Sequence, residues 1–323
     1  MATARYASID IGTNSVKLLV ADLDGREARP ILDRSAITRL GEGMETSLPS
    51  TFSGRSEPAQ RLQEPAMRRT LDALEEFMHL ARAQGAYAIA AVGTAALREA
   101  ANRDEFLRRA QQRCGLDIEV LSGEEEARLT YLAVRRDALW RTAPRLIVLD
   151  IGGGSTEIIQ GQPYSDAIAA CFSLPLGAVR LTETYLRSDP PTITQLSAAN
   201  EAAARAFAEI AFAPLPGVER WQIVGVGGTL ANLGAVDLNG PSSLEALHGH
   251  LLTADVIESQ VSLFASRTLQ QRQRIPGLEP KRADIILGGA LLLGQALAKL
   301  GSPAIAVSIR GLRWGVLFER FAF

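Results

Sequence analysis

An aspartate, a tight glycine turn and a hydroxyl recur in this chain at one spacing. Residues 9–15 read IDIGTNS and residues 149–155 read LDIGGGS. Asp10 thereby aligns with Asp150, Gly12 with Gly152 and Ser15 with Ser155. Apolar β-type runs flank both copies, so each reads as strand, turn, strand. Glycines at such a turn let backbone N–H groups converge on an anion. The hydroxyl adds a donor, and the acid can hold a hydrated cation such as Mg²⁺. A lone D-x-G-x-x-S also fits a hairpin that binds nothing. Two copies with matching flanks, too far apart for a solenoid period, argue for a duplicated domain and two lobes that grip a phosphorylated ligand between them.

Four further constellations carry chemistry. Residues 92–98, VGTAALR, end in Arg98, which could fork a phosphate or be a plain helix-surface arginine. Residues 122–127, SGEEEA, put three acids at the start of a helix. The helix dipole alone favours them there, and a carboxylate in that place could also deprotonate water. Residues 225–230, GVGGTL, run from strand into helix. A phosphate could sit on that helix N-terminus, although neither a Walker A loop nor GxGxxG is present. Residues 308–315, SIRGLRWG, place Arg310 and Arg313 beside a glycine turn.

These residues need an α/β scaffold to position them, and the pattern supplies one. After the first hairpin come a strand over 31–40 and a polar loop over 45–63. A helix runs from Pro65 to near Gly85, with proline suited to its first turn. Next are a strand over 86–93, a helix over 102–115, a strand over 118–123 and a helix over 124–139. The second half opens with a strand over 146–149. Helices follow at 182–187 and 194–213, then a helix from Thr253, an apolar buried helix over 285–297, a strand over 304–309 and a closing helix from Leu312. The chain of 323 residues suits two domains. A composition of 47% hydrophobic and 22% charged residues is that of an ordinary globular protein. A net charge of −2 argues against a general nucleic-acid binder. The apolar tract at 285–297 is too short to span a bilayer, and no signal core opens the chain. Cys114 and Cys171 have no metal-ligand spacing, which suits the reducing cytoplasm.

The ordered set IDIGTNSVKLLV, VGTAALREAANRDEF, LSGEEEARLTYLAV, LIVLDIGGGSTEII, SLPLGAVRLTE, VGVGGTLANL and SIRGLRWGV resembles the exopolyphosphatase / guanosine pentaphosphate phosphohydrolase family, from Ile9 to Gly315. The resemblance implies two duplicated ribonuclease-H-like domains of the actin-like ATPase superfamily with a cleft between them. The first domain is expected over 1–123, with the closing helix 312–323 packing back on it, and the second over 124–311. SGxEEA implies Glu125 as the catalytic base, and ALREA implies Arg98 as a catalytic residue that stabilises the transition state. DIGGGSTE implies Asp150 and Glu157 as metal or water-orienting acids, with Asp10 beside them, and Gly153, Gly154 and Ser155 as phosphate donors. IDIGTNS adds Thr13, Asn14 and Ser15, and GVGGT adds Gly227, Gly228 and Thr229. With only His79, His248 and His250 and no His-Asp dipeptide, an HD-type C-terminal domain is not expected.

The implied enzyme is a cytoplasmic exopolyphosphatase that uses Mg²⁺ or another divalent cation and releases terminal phosphate. Its expected partners are inorganic polyphosphate or guanosine pentaphosphate, without nucleic acid or membrane, and self-association as a homodimer is an open expectation. The rival activities are a guanosine pentaphosphate phosphohydrolase and a catalytically weak alarmone or nucleotide sensor. No guanine-reading motif stands in the chain, which favours polyphosphate. Arg98, Arg282, Arg310 and Arg313 are the arginines that could line a groove for repeated phosphates.

Overall fold

The structure, a computed structural model, describes residues 4–25, 27–44, 60–212, 221–240 and 243–322. Most of the expected loop over 45–63 and the last residue of the helix expected over 194–213 lie outside them. The chain forms two compact units, residues 1–129 with 312–323 and residues 130–311. The division falls inside a helix rather than at the expected 123/124.

Unit 1 is built on a sheet of β1 (Ala4–Ile11), β2 (Ser15–Asp24), β3 (Glu27–Ile37), β4 (Ala88–Gly93) and β5 (Ile118–Val120), in the order β3-β2-β1-β4-β5. The first three strands are antiparallel neighbours, and β4 and β5 continue parallel to β1. Side chains alternate across a strand, so Ala7, Ile9 and Ile11 enter one core while Ser8 and Asp10 face the other side. That core is closed by α1 (Glu64–Ala83) and α3 (Arg103–Cys114), through Leu71, Leu74, Phe77 and Phe106. The opposite face receives α11 (Leu312–Phe321), where the Ser8 hydroxyl donates to the Arg313 carbonyl at 2.7 Å. Within the same unit Gly315 of α11 rests on the Leu129 carbonyl, so closely that a Cβ would collide. The short α2 (Ala95–Glu99) follows β4, and α4 (Gly123–Arg135) follows β5. The third strand begins at Glu27, earlier than expected, because Asp24 and Glu27 pair across a tight turn.

Unit 2 repeats the plan. Its strands β6 (Leu146–Ile151), β7 (Thr156–Gly161), β8 (Ile168–Leu174), β9 (Gln222–Val226), β10 (Leu251–Thr253) and β11 (Ala304–Val307) lie in the order β10-β11-β9-β6-β7-β8. Read from β8, the order is that of the first sheet with β10 added at the far edge. The core lies between this sheet and α5 (Ala178–Tyr185), α6 (Ile193–Ala208), α7 (Gly227–Asp237), α8 (Ala254–Ala265) and α10 (Ile286–Leu300), with α9 (Leu269–Arg272) nearby in the chain. Ile286, Leu287, Ala290, Leu292, Leu293 and Leu297 are all buried on α10, and its few polar groups, Gln295 and Lys299, lie toward its C-terminal end. Among the described residues no helix is long and apolar enough to cross a membrane.

Candidate active site

The two glycine turns close in the same way. Gly12 N–H donates to the Ser15 carbonyl at 3.0 Å, and Gly152 N–H donates to the Ser155 carbonyl at 2.9 Å. Each leaves a two-residue tip, Thr13-Asn14 in unit 1 and Gly153-Gly154 in unit 2.

In unit 2 the tip is oriented by α5. Ala178 N–H donates to Gly152 O, and Val179 and Arg180 N–H groups donate to Gly153 O, at 2.9–3.2 Å. In a trans peptide the following N–H points opposite to the carbonyl. The amides of Gly153 and Gly154 therefore both turn away from α5, side by side. Two N–H groups so placed could donate together to one anion. Gly177, just before α5, lies so close to the Gly152 and Gly153 carbonyls that any side chain would push the turn away. The SLPLGAV segment thus acts as the clamp of the second turn.

In unit 1 the segment after β3 plays the corresponding part. Thr38 and Arg39 N–H groups bind Asn14 O at 3.2 and 3.0 Å, and Gly41 N–H binds Thr13 O at 2.9 Å. Asn14 is 8% exposed, and its amide nitrogen Nδ2 is buried with no acceptor in the protein. A buried donor without a partner is uncommon in a folded protein, and this one could serve an anionic ligand.

The acids differ between the copies. Asp10 stands opposite Lys17 across β1 and β2, with Nζ 3.4 Å from Oδ2. Its charge is balanced within its own hairpin, so a metal at Asp10, expected from the sequence, has a competing cation already in place. Asp150 stands opposite Glu157 across β6 and β7, and the Ser173 hydroxyl donates to Glu157 Oε1 at 3.0 Å. Carboxylates directly opposite on a strand pair repel, and a cation held between them would offset part of that repulsion. Among the described residues no three His, Cys, Asp or Glu side chains converge as a metal cluster. Mg²⁺ needs only one or two carboxylates plus substrate phosphates, so Asp150 and Glu157 fit it.

Gly227 carries φ +89, a conformation open chiefly to glycine, and the Asp150 carboxylate occupies the space a side chain would need. The Arg282 guanidinium lies against Gly228 at the start of α7, where the helix dipole favours an anion. Thr229, expected to bind phosphate, is 4% exposed and donates its hydroxyl to Ile151 O at 2.9 Å. Its proton is committed to the hairpin strand, so Thr229 is a strut under the turn. Thr94 does the same in unit 1, with its N–H and hydroxyl directed at Ile11 O at 3.2 and 3.4 Å. Nothing in the sequence pattern pointed to this matched pair of struts.

Glu125 and Ser122 form a reciprocal N-terminal cap on α4. Ser122 N–H and hydroxyl donate to Glu125 Oε2 at 3.1 and 3.2 Å, and Glu125 N–H donates to Ser122 Oγ at 3.2 Å. The Ser122 N–H and hydroxyl hold the Glu125 carboxyl below the usual carboxylate range. Glu126 instead meets Arg98, whose Nη1 lies 3.0 Å from Glu126 Oε2 and 3.0 Å from Leu121 O. Arg98, expected to fork a phosphate, is thus paired with the neighbour of the expected base. Two other arginines are held elsewhere: Arg313 is buried against Asp33, and Arg310 lies 3.1 Å from Asp137, a buried acid also 3.0 Å from His248.

Two sheets of one strand order, each opening on an acid and a phosphate-type hairpin, define an α/β protein of the two-domain actin-like fold that hydrolyses phosphoanhydrides. The model of the Ppx/GppA phosphatase family matches residues 19–322, and the chain belongs to that family. It is 34% identical to Exopolyphosphatase 2 of Mycobacterium tuberculosis, over 94% of this chain and 93% of that protein. It is 31% identical to Exopolyphosphatase 1 of the same organism, over 98% of this chain and 88% of that one. The crystal structure of the Aquifex aeolicus Ppx/GppA family member superposes with a TM-score of 0.79 at 33% identity, over 99% of this chain and 98% of that one.

Proposed function

We propose that this protein is an exopolyphosphatase that releases terminal orthophosphate from inorganic polyphosphate in the cytoplasm. The observation that carries the reading is the Gly153-Gly154 tip, whose two amides α5 turns to one side. Asn14 Nδ2 supplies a corresponding unsatisfied donor in the other copy. Such preorganised donors stabilise charge that develops on phosphoryl oxygens, and in phosphoryl transfer they do most of the work. Ser15 and Ser155 close the two turns and add hydroxyls, Thr13 stands at the first tip, and Gly227 and Gly228 present the N-terminus of α7.

A divalent cation such as Mg²⁺, held by Asp150 and Glu157, would neutralise charge on the phosphoryl oxygens. The protein's own groups bind and orient the chain end and take the proton of the attacking water. The sequence assigns that proton to Glu125. A second assignment, Glu126, is favoured by its contact with Arg98, a residue suited to phosphate, whereas the Glu125 carboxylate is engaged in the helix cap. Guanosine pentaphosphate ends in the same anhydride, so the two substrates differ only beyond the reacting group. Phosphate release from long-chain polyphosphate and from guanosine pentaphosphate, measured side by side with Mg²⁺, tests the assignment. A higher kcat/KM for the guanosine compound reverses it.

A further inference from the structure

Thr70, Thr94, Thr156 and Thr229 are buried, and each donates its hydroxyl to a carbonyl, of Ala66, Ile11, Leu176 and Ile151 respectively. Thr38 is buried as deeply, at 3% exposed, yet its Oγ1 has no hydrogen-bond partner among the described residues. A buried hydroxyl left unpaired destabilises the fold, and valine would fill the same space without that cost.

Thr38 stands beside a second unused donor. Ser15 pairs with Ile37 in the register of β2 and β3. Asn14 and Thr38 are the next residues in line, and the Thr38 N–H donates to Asn14 O at 3.2 Å. Residues opposite each other on antiparallel strands share a face, with Cβ atoms about 4.5–5.5 Å apart. The unsatisfied Asn14 Nδ2 and Thr38 Oγ1 thus belong to neighbouring side chains, and neither satisfies the other. The Arg39 N–H also reaches Asn14 O, at 3.0 Å, from a left-handed backbone with φ +52. Strain of this kind in a residue other than glycine gathers at ligand clamps. From α1, Arg69 Nε donates to the Thr38 carbonyl at 3.0 Å. Both backbone groups of Thr38 are therefore engaged, and its hydroxyl can rotate toward an acceptor that arrives from outside the fold.

We propose that Thr38 is a substrate ligand: its hydroxyl and the Asn14 amide donate together to one oxygen of the phosphate chain at the first glycine turn. The inference rests on the phosphohydrolase reading above and adds a residue to it. Both donors are neutral, so the contact places a phosphoryl group without adding charge. It is made to the bound chain before the reaction as well as during it, and its loss belongs in KM more than in kcat.

Thr38→Val and Thr38→Ser test the assignment. Without ligand, Thr38→Val should melt at or above the wild-type temperature, because an unsatisfied group is gone. With Mg²⁺ and polyphosphate its KM should rise about 10–100-fold, as for a lost hydrogen bond to a charged group, and kcat should fall far less. Thr38→Ser, which restores the hydroxyl, should recover the affinity. Orthophosphate should raise the melting temperature of the wild type more than that of Thr38→Val. An unchanged KM in Thr38→Val overturns the proposal. So does a Thr38→Val that melts well below the wild type, since the hydroxyl then has a partner inside the fold, such as a trapped water. A wild type that releases no phosphate from polyphosphate defeats the substrate reading instead. The orthophosphate melts then decide the role of Thr38: a shift confined to proteins with the hydroxyl upholds it, and an equal or absent shift overturns it.

Discussion

At the scale of single residues, Ser122, Glu125 and Glu126 separate structure from chemistry. Glutamine can replace glutamate at the third position of a helix cap. Glu125→Gln should therefore leave α4 capped, and any loss of turnover would then be chemical. We expect that variant to stay folded and active, and Glu126→Gln to lose about 10²–10⁴-fold in kcat, the usual contribution of a positioned base. Steady-state phosphate release with a matched melting curve decides between them. A dead, folded Glu125→Gln returns the base to the position that SGxEEA suggests. For the metal, Asp150→Asn should raise the half-saturating Mg²⁺ concentration, because a neutral amide is a poorer partner than a carboxylate. An unchanged metal titration removes Asp150 from that role. Asp137 carries a different load. Its carboxyl is held below the usual range: burial pushes it up, but His248, the Leu139 N–H and Arg310 together pull it further down. A depressed folded pKa stabilises the protein above the unfolded value and loses that contribution as pH falls through the folded value. Asp137→Ala should cost about 3–5 kcal/mol at neutral pH, as for a broken buried ion pair. It should also flatten the decline in stability below about pH 4, read by urea melts across pH.

At the scale of elements, the clamp on the second turn makes a sharp expectation. Gly177→Ala drives a methyl into the Gly152 and Gly153 carbonyls, so the two tip amides lose their common direction. Turnover should fall by at least 10²-fold, the loss expected for one oxyanion-type donor, while secondary structure stays intact by circular dichroism. Much of this level was readable beforehand. The hairpins, α1 with its early proline, α3 with its glycine stop and the apolar α10 follow from periodicity and punctuation. Strand β8 was missed because IAACFSL follows a polar turn and alternates only weakly. The start of α5 was placed late, at residue 182 rather than Ala178, because its first turn is bound to the carbonyls of a distant hairpin and not to a side-chain cap. The struts Thr94 and Thr229 are invisible for a related reason: each bonds a carbonyl some 80 residues away, and no local pattern encodes a long-range partner. Arg313 looked like a ligand for phosphate, yet it is buried against Asp33.

At the scale of the whole molecule, substrate choice becomes a matter of charge. A polymer of phosphates held by amides and arginines should bind more weakly as salt rises, because counterions are released; the analogy is the nucleic-acid backbone. Comparing kcat/KM for polyphosphate and guanosine pentaphosphate at two salt concentrations tests this. A flat response with polyphosphate defeats it. The duplicated strand order also has a consequence in time. Unit 2 is contiguous, but unit 1 takes its last helix, α11, from the end of the chain. A ribosome adds about 5–20 residues per second, so the first strands emerge on the order of 15–60 s before the helix that covers them. Until then Ser8 and the face around it stand bare, and the half of the protein made first is the half finished last.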